Sequence, residues 1–234
     1  MRDLRNKFCL IDLDLMVTML RLGKKYDCER FKTQALEQLR LAFPNKFYQC
    51  ENIWEGNSVD GATYDDFADD YEFYLLDVAL ELGIQTILPL AFFTCLDNCP
   101  TSQFLDGSYD AGPGRSGILP SHAREALLQA KEKIIEDISD EVYAWWKQAK
   151  PHVDCTTKKS CTDAIRKDAI RMIGAPHLRE LFIPKVSIRS MKELCRTCKD
   201  HGATSTENGR RQVFDKLPSY FGLSDWADLK DFDD

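Results

Sequence analysis

No run in this 234-residue chain approaches the roughly 20 apolar residues that a membrane-spanning helix requires. Nor does its start have the layout of a secretion signal. Residues 1–7 are charged, and the apolar positions after them are broken by Asp12 and Asp14. Positive charge is in short supply: Lys and Arg number 31 against 38 Asp and Glu, a formal net charge of −7. A general nucleic-acid binder needs clustered Lys and Arg to displace counterions from phosphate, so that class is disfavoured. Strict apolar–polar alternation is scarce as well, which argues against a fold built of strands.

Apolar and aromatic residues are plentiful. Hydrophobic content is 44% and aromatic content 11%, which argues against wholesale disorder and supplies a core. One or two domains are expected at this length. Nine cysteines without a secretion signal read as reduced thiols of a protein in the cytoplasm or nucleus, and their odd number fits that reading.

Helical periodicity dominates the chain. Leu13, Met16, Val17 and Leu20 share one face of a helix that ends near Gly23. Asp27 is placed to cap a second helix, with Phe31, Ala35, Leu36 and Leu39 inward and Pro44 beyond its end. Residues 49–66, with Gly56, Asn57, Ser58 and Gly61, read as a loop. Residues 71–82 make a strongly apolar helix stopped by Gly83. A second spans 84–95, with Pro89 tolerated early in it. Residues 101–117, rich in Gly, Ser, Asp and Pro, read as an exposed, mobile loop. Pro120-Ser121 then opens a long amphipathic helix carrying Ala126, Leu127, Ala130, Ile134 and Ile138, and residues 141–146 continue it or begin another. Helical spacing returns over 161–173 through Ala164, Ile165, Ala169 and Met172. Residues 188–198 lead into a last helix ending before Pro218. The chain therefore reads as all-α, with no internal repeat.

Four cysteines carry the most specific chemistry. Cys155 and Cys161 make a C-x5-C step, and Cys195 with Cys198 makes a C-x2-C step. A C-x2-C turn brings two thiolates close enough to share one tetrahedral metal, and a second pair brought in by the fold completes the set. On that reading Cys155, Cys161, Cys195 and Cys198 hold one structural zinc, with no open position for catalysis. His152 and His201 stand nearby and could replace a weak ligand. The alternative is that the four are buried or free thiols, since cysteine packs well as a small hydrophobe.

The remaining motifs read more plainly. Cys95 and Cys99, spaced i, i+4, suit core packing, and Cys9, Cys28 and Cys50 show no ligand spacing. Cys155 with His152 lacks the orienting third group and oxyanion signature of a nucleophilic site. Residues 112–117 lack the Gly-Lys-Ser/Thr ending of a phosphate loop and no strand leads into them. Asp65, Asp66, Asp69, Asp70 and Glu72 lack the spacing and central Gly of a calcium loop, and acidic charge ahead of a helix is ordinary dipole complementarity. Lys158, Lys159, Arg166, Lys167 and Arg171 form one basic cluster, most simply a solvated helix face, although with Arg210 and Arg211 they could make a local patch for nucleic acid. Trp145, Trp146, Trp226 and Phe221 read as core and terminal packing, with Trp226 also placed to serve as a hook for a partner.

Two stretches carry a family likeness. The first is Met19-Leu20-Arg21-Leu22-Gly23-Lys24-Lys25-Tyr26-Asp27, followed by Phe31, Ala35 and Leu36. The second is Leu194-Cys195-Arg196-Thr197-Cys198, then residues 214–223 (Phe214, Leu217-Pro218, Phe221-Gly222-Leu223) and Trp226. In that order and separation they resemble the large group of mushroom-type (Agaricomycete) fungal BTB/POZ domain proteins. There, an LRLG-KYD segment forms the closing helix pair of the BTB domain. A helical region with an ILP-A motif follows, matched here by Ile87-Leu88-Pro89-Leu90-Ala91, then the two cysteine pairs and a W-LP-FGL-W ending, with Phe214 at the first Trp. In the family a β-rich core precedes the first segment, and it does not stand ahead of Leu13. The dimer interface and much of the cullin-binding surface, which that core carries, are therefore not expected from these residues. Leu15, Met16, Met19, Leu20 and Leu22, which in the family pack on that core, are left for the rest of the chain or a partner to cover.

The resemblance implies an irregular, BACK-like helical bundle with a small zinc-stapled C-terminal part. Residues 1–48 would be the closing helices of a truncated BTB-like domain, 49–150 a helical middle region with a mobile loop at 101–117, and 151–234 the cysteine-pair region. It implies a non-enzymatic protein–protein interaction scaffold or adaptor, linked to cullin-type ubiquitin ligases, with a cullin or a BTB-type partner chain among its protein partners. Neither nucleic acid nor membrane is expected as a partner. The competing function is a nuclear, transcription-related protein that contacts DNA or chromatin factors through the zinc and basic region.

Overall fold

A computed structural model describes residues 13–54, 71–173, 176–184 and 187–232. The chain divides into two compact units, one of residues 1–128 with 221–234, the other of residues 129–220. The sequence-level segments broke at 48 and 150. By packing, the dividing point instead falls inside a helix, and the C-terminal segment belongs to the first unit.

In the first unit α1 (Leu13–Lys25) and α2 (Glu29–Ala42) form an antiparallel pair. Met16, Val17 and Leu20 of α1 and Ala35, Leu36 and Leu39 of α2 are buried, as the i, i+4 spacing requires. The other members of the expected apolar set do not all follow. Leu15 and Leu22 are 54% and 38% exposed, and Met19 is half-buried. Asp27 does not cap α2: it sits in the connecting turn at φ 51, Cys28 is the N-cap, and the Asp27 carboxylate pairs with Lys32 at 2.9 Å. A short α3 (Phe47–Trp54) occupies the start of the segment expected as loop over 49–66, burying Phe47, Cys50 and Ile53. The rest of that segment lies outside the described residues.

Two helices form the centre of this unit. In α4 (Tyr71–Leu82) and α5 (Leu88–Asn98) most side chains are buried, the pattern of helices at the centre of a unit. A 3-10 turn, Gln85–Ile87, joins them, and Pro89 sits in the first turn of α5, where its missing N–H costs nothing. The segment 101–117, expected as a loop, holds a helix and a hairpin. A one-and-a-half-turn α6 (Thr101–Asp106) is followed by an antiparallel hairpin, β1 (Ser108–Asp110) with β2 (Ser116–Ile118). Tyr109 is the buried residue of β1 and sends its hydroxyl to Asp77 at 2.6 Å. Its ring lies over Gly117, where a Cβ would come within 2.5 Å of the Tyr109 oxygen. That packing is long-range in sequence, so composition alone reads as loop. The C-terminal segment adds Phe221, stacked on Phe92 at 4.7 Å, and Asp231, bridged to Ile84.

α7 (Ser121–Asp137) is the long amphipathic helix expected after Pro120 and runs from the first unit into the second. It passes into a π-helical turn, Ile138–Val142, then α8 (Ala144–Gln148), α9 (Lys158–Ile173), α10 (Arg196–Asp215) and α11 (Leu217–Tyr220). α10 is the axis of the second unit. It packs on the π turn and on α8, where Trp145 and Trp146 are buried edge to face at 4.8 Å. Gly209 makes the first contact possible, because a Cβ there would collide with the Glu141 carbonyl. Arg210 is buried and donates to the Leu181 carbonyl at 2.8 Å and to that of Phe182. Pro218 lies inside α11 rather than beyond the last helix. The fold is mostly helical, in line with the all-α expectation, and the β1–β2 hairpin is its one named sheet among the described residues.

Candidate metal centre

Four sulfurs from two separate stretches meet in the second unit. Cys155 lies in the turn before α9, and Cys161 in that helix's first turn. Cys195 is the N-cap of α10, and Cys198 is its third residue. The residue types suit the places: a C-x2-C step across a helix start holds both thiols on one side of the first turn. The C-x5-C step works because residues 156 and 157 turn and Lys158 begins the helix that brings Cys161 back beside Cys155.

The four Sγ atoms lie within 4.8 Å of one another, with Cys195 and Cys155 at 3.6 Å. A zinc tetrahedron with Zn–S bonds of about 2.3 Å has sulfur–sulfur edges of about 3.8 Å, so the cluster has the size such an ion needs. The thiols are free, and 3.6 Å is far longer than a disulfide bond of about 2.05 Å. Cys155, Cys161 and Cys198 are buried and Cys195 half-buried.

Backbone amides point at these sulfurs. The His152 N–H donates to Cys198 Sγ at 3.4 Å and the Cys195 N–H to Cys161 Sγ at 3.2 Å. The Cys198 amide is the main reason the Cys195 thiol falls to about 6, a thiolate at neutral pH. Burial pushes the Cys155 and Cys198 thiols up, against the Thr157 and His152 amides that favour their thiolates. Thr157 Oγ1 stands 3.2 Å from Cys161 Sγ. Amides directed at sulfur are what a metal thiolate site uses to orient its ligands and spread their charge. Four thiolates this close repel one another strongly, and a divalent cation at their centre removes that penalty. The donor set, its size and its amide shell are therefore compatible with zinc, and an ion held by all four sulfurs would have no position left for water.

The histidines do not enter the ligand set. The His152 ring faces Asp154, accepting that residue's N–H at Nδ1 at 3.2 Å, and stands 5.0 Å from the His201 ring. What His152 gives the cluster is its backbone N–H. Sequence spacing drew attention to its imidazole and could not reveal the amide.

The other candidates stay apart. Cys95 and Cys99 are buried near the end of α5, and burial pushes the Cys95 thiol far up. Cys50 is buried and donates to the Pro44 carbonyl at 3.3 Å, and Cys28 is half-buried. Cys9, Asp65, Asp66, Asp69 and Asp70 lie outside the described residues, while Glu72 receives the Asn98 side-chain amide at 2.7 Å. Residues 112–115 make the hairpin turn, where Arg115 pairs with Asp14 at 2.7 Å. Lys158, Lys159, Arg166 and Lys167 are exposed on α9, and the side chain of Arg171 is outside the described set. Phe221, Trp145 and Trp146 are core residues, and Trp226 is half-buried.

Among the described residues no helix is long and apolar enough to cross a membrane. Comparison with known protein families, with curated proteins and with solved structures gives no match.

Proposed function

We propose that this chain is a non-enzymatic interaction scaffold whose second unit is clamped by one structural zinc ion on Cys155, Cys161, Cys195 and Cys198. The observation that carries the reading is the convergence of four sulfurs within 4.8 Å. A site with four protein ligands leaves no place for water or substrate, which assigns it to holding structure rather than to Lewis-acid chemistry. The clamp ties the turn before α9 to the start of α10. The ordered surface it creates is what the chain offers to protein partners. The finer reading, an adaptor of BTB-like type that serves a cullin-based ubiquitin ligase, draws on the sequence resemblance.

Native mass spectrometry of the purified chain tests the clamp. One zinc per chain, lost in Cys195→Ser together with helicity, supports it. A metal-free, fully helical chain removes it. Titration against a purified cullin N-terminal segment, followed by sedimentation, tests the adaptor role, and absence of a complex withdraws the cullin assignment.

A second reading has an observation behind it: the exposed Lys158, Lys159, Arg166 and Lys167 begin directly after the cysteine turn. In that reading the zinc unit presents α9 to DNA. Binding to duplex DNA that weakens steeply with salt would favour it, against the chain's net charge of −7.

A further inference from the structure

We propose that the four-cysteine cluster is a peroxide-responsive switch, in which Cys195 is oxidised first and then captured by Cys155; the inference rests on the zinc reading above. The four sulfurs are not equivalent. Cys161 and Cys198 are wholly buried, Cys155 is 7% exposed, and Cys195 is the half-buried member that solvent reaches. Cys195 is also the N-cap of α10, ahead of the helix's first turn. Its sulfur stands 3.6 Å from that of Cys155, so the accessible thiol already has a resolving partner beside it. Those are the two features of a redox-responsive cysteine: access, and a second sulfur within reach.

The chemistry closes on hydrogen peroxide as the oxidant. The Cys195 thiolate attacks one peroxide oxygen, an S–O bond forms, the O–O bond breaks, and hydroxide leaves and takes up a proton. The Cys155 sulfur then attacks the Cys195 sulfenic sulfur. An S–S bond forms, the S–O bond breaks, and the second oxygen leaves as water. The two sulfurs give up two electrons between them, and one peroxide becomes two waters. A disulfide sulfur is a poor metal ligand, so only Cys161 and Cys198 remain as thiolates and zinc affinity is lost. The turn before α9 then stays tied to α10 by one covalent bond instead of four metal bonds.

The test is titration of the purified chain with hydrogen peroxide. Free zinc is read with a chromogenic indicator, and the disulfides by peptide mapping without reduction. Zinc release in step with a Cys155–Cys195 disulfide, reversed by dithiothreitol and added zinc, is the expected result. Cys50 and Cys95, buried and away from the cluster, serve as internal controls that stay reduced. The proposal is overturned if the first disulfide involves Cys161 or Cys198, if Cys195 goes to sulfinic acid without a partner, or if all four thiols survive peroxide that oxidises free cysteine. A chain that carries no zinc before treatment sinks the metal reading, and the peptide map still decides which sulfurs pair.

Discussion

The Asp231 carboxylate takes both polar hydrogens of Thr86, the backbone N–H at 2.9 Å and the hydroxyl at 2.8 Å. The same carboxylate pairs with Arg40 at 2.6 Å, and its side chain is only 5% exposed. The two residues are 145 apart in sequence, and with the Phe232 N–H donated to the Gly83 carbonyl at 2.8 Å they fasten the C-terminal segment onto the α4–α5 connection.

Asp231→Ala should therefore destabilise the first unit by about 2–4 kcal/mol, because a buried carboxylate with several donors is removed and those donors lose their partner. Chemical denaturation followed by circular dichroism measures it. Asp228→Ala, at an exposed position, is the control and should change stability by less than about 0.5 kcal/mol.

Gly209→Ala separates helix propensity from packing. Propensity alone would stabilise α10 by about 1 kcal/mol. The new methyl group would instead meet the Glu141 carbonyl and lie 2.8 Å from the Val142 amide nitrogen. Backbone cannot swing aside as a flexible side chain can, so a loss of about 1–3 kcal/mol is expected from overpacking. A gain in stability would mean that α10 and the π turn are not in contact.

The helices and the four sulfurs of the site were legible in the sequence, one pair more sharply than the other. Periodicity and punctuation placed α1, α2, α4, α5, α7, α9 and α10, because each carries an apolar face bounded by Gly, Pro or a polar turn. The hairpin was not legible: three-residue strands are too short to alternate, and Tyr109 earns its place through Asp77, 32 residues away. Nor was the π turn at 138–142, where the chain simply keeps its apolar spacing. Within the site, the C-x2-C step announced itself because it fits inside one helical turn. The looser C-x5-C step depends on a turn and a helix start that no local rule fixes, and the donor role of His152 lies in its main chain.

Alkaline pH should weaken the fold through two phenols. Burial, reinforced by a hydrogen bond to Asp77, holds the Tyr109 hydroxyl above its ordinary range, and burial with a hydrogen bond to Asp137 does the same for Tyr220. A pKa raised in the folded state gives stability that is fully present below the unfolded value, about 10 for tyrosine, and lost as pH rises through the folded value. The urea concentration at the unfolding midpoint should thus decline as pH rises above the ordinary tyrosine pKa of about 10. In the double variant Tyr109→Phe, Tyr220→Phe the chain should be less stable at neutral pH and the alkaline decline shallower. An equal decline in both would assign it to other groups.

On the zinc reading proposed above, chelation should act on the second unit first. Structural zinc contributes on the order of 10 kcal/mol to the folding of small zinc peptides, and a ligand bound only by the folded state stabilises it in proportion to the logarithm of its free concentration. A chelator should therefore lower the unfolding temperature of the residues around the clamp while leaving α4 and α5 folded, since their core is built from Phe73, Leu76, Leu90 and Phe93 without any metal. Trp145 and Trp146 report the difference: both are buried against each other in the second unit, and Gly202 of α10 lies so close to Trp145 that a Cβ would come within 2.8 Å of the indole. Loosening the start of α10 should shift their fluorescence to longer wavelength on chelation, and added zinc should restore it. Cys198→Ala should show the shifted spectrum without chelator and gain nothing from zinc. Cys50→Ala, a buried thiol bonded to a carbonyl, should lose only the cost of a small cavity and keep its response to the metal. A chelator that leaves the tryptophan spectrum and the unfolding temperature unchanged would reduce the four cysteines to packing residues.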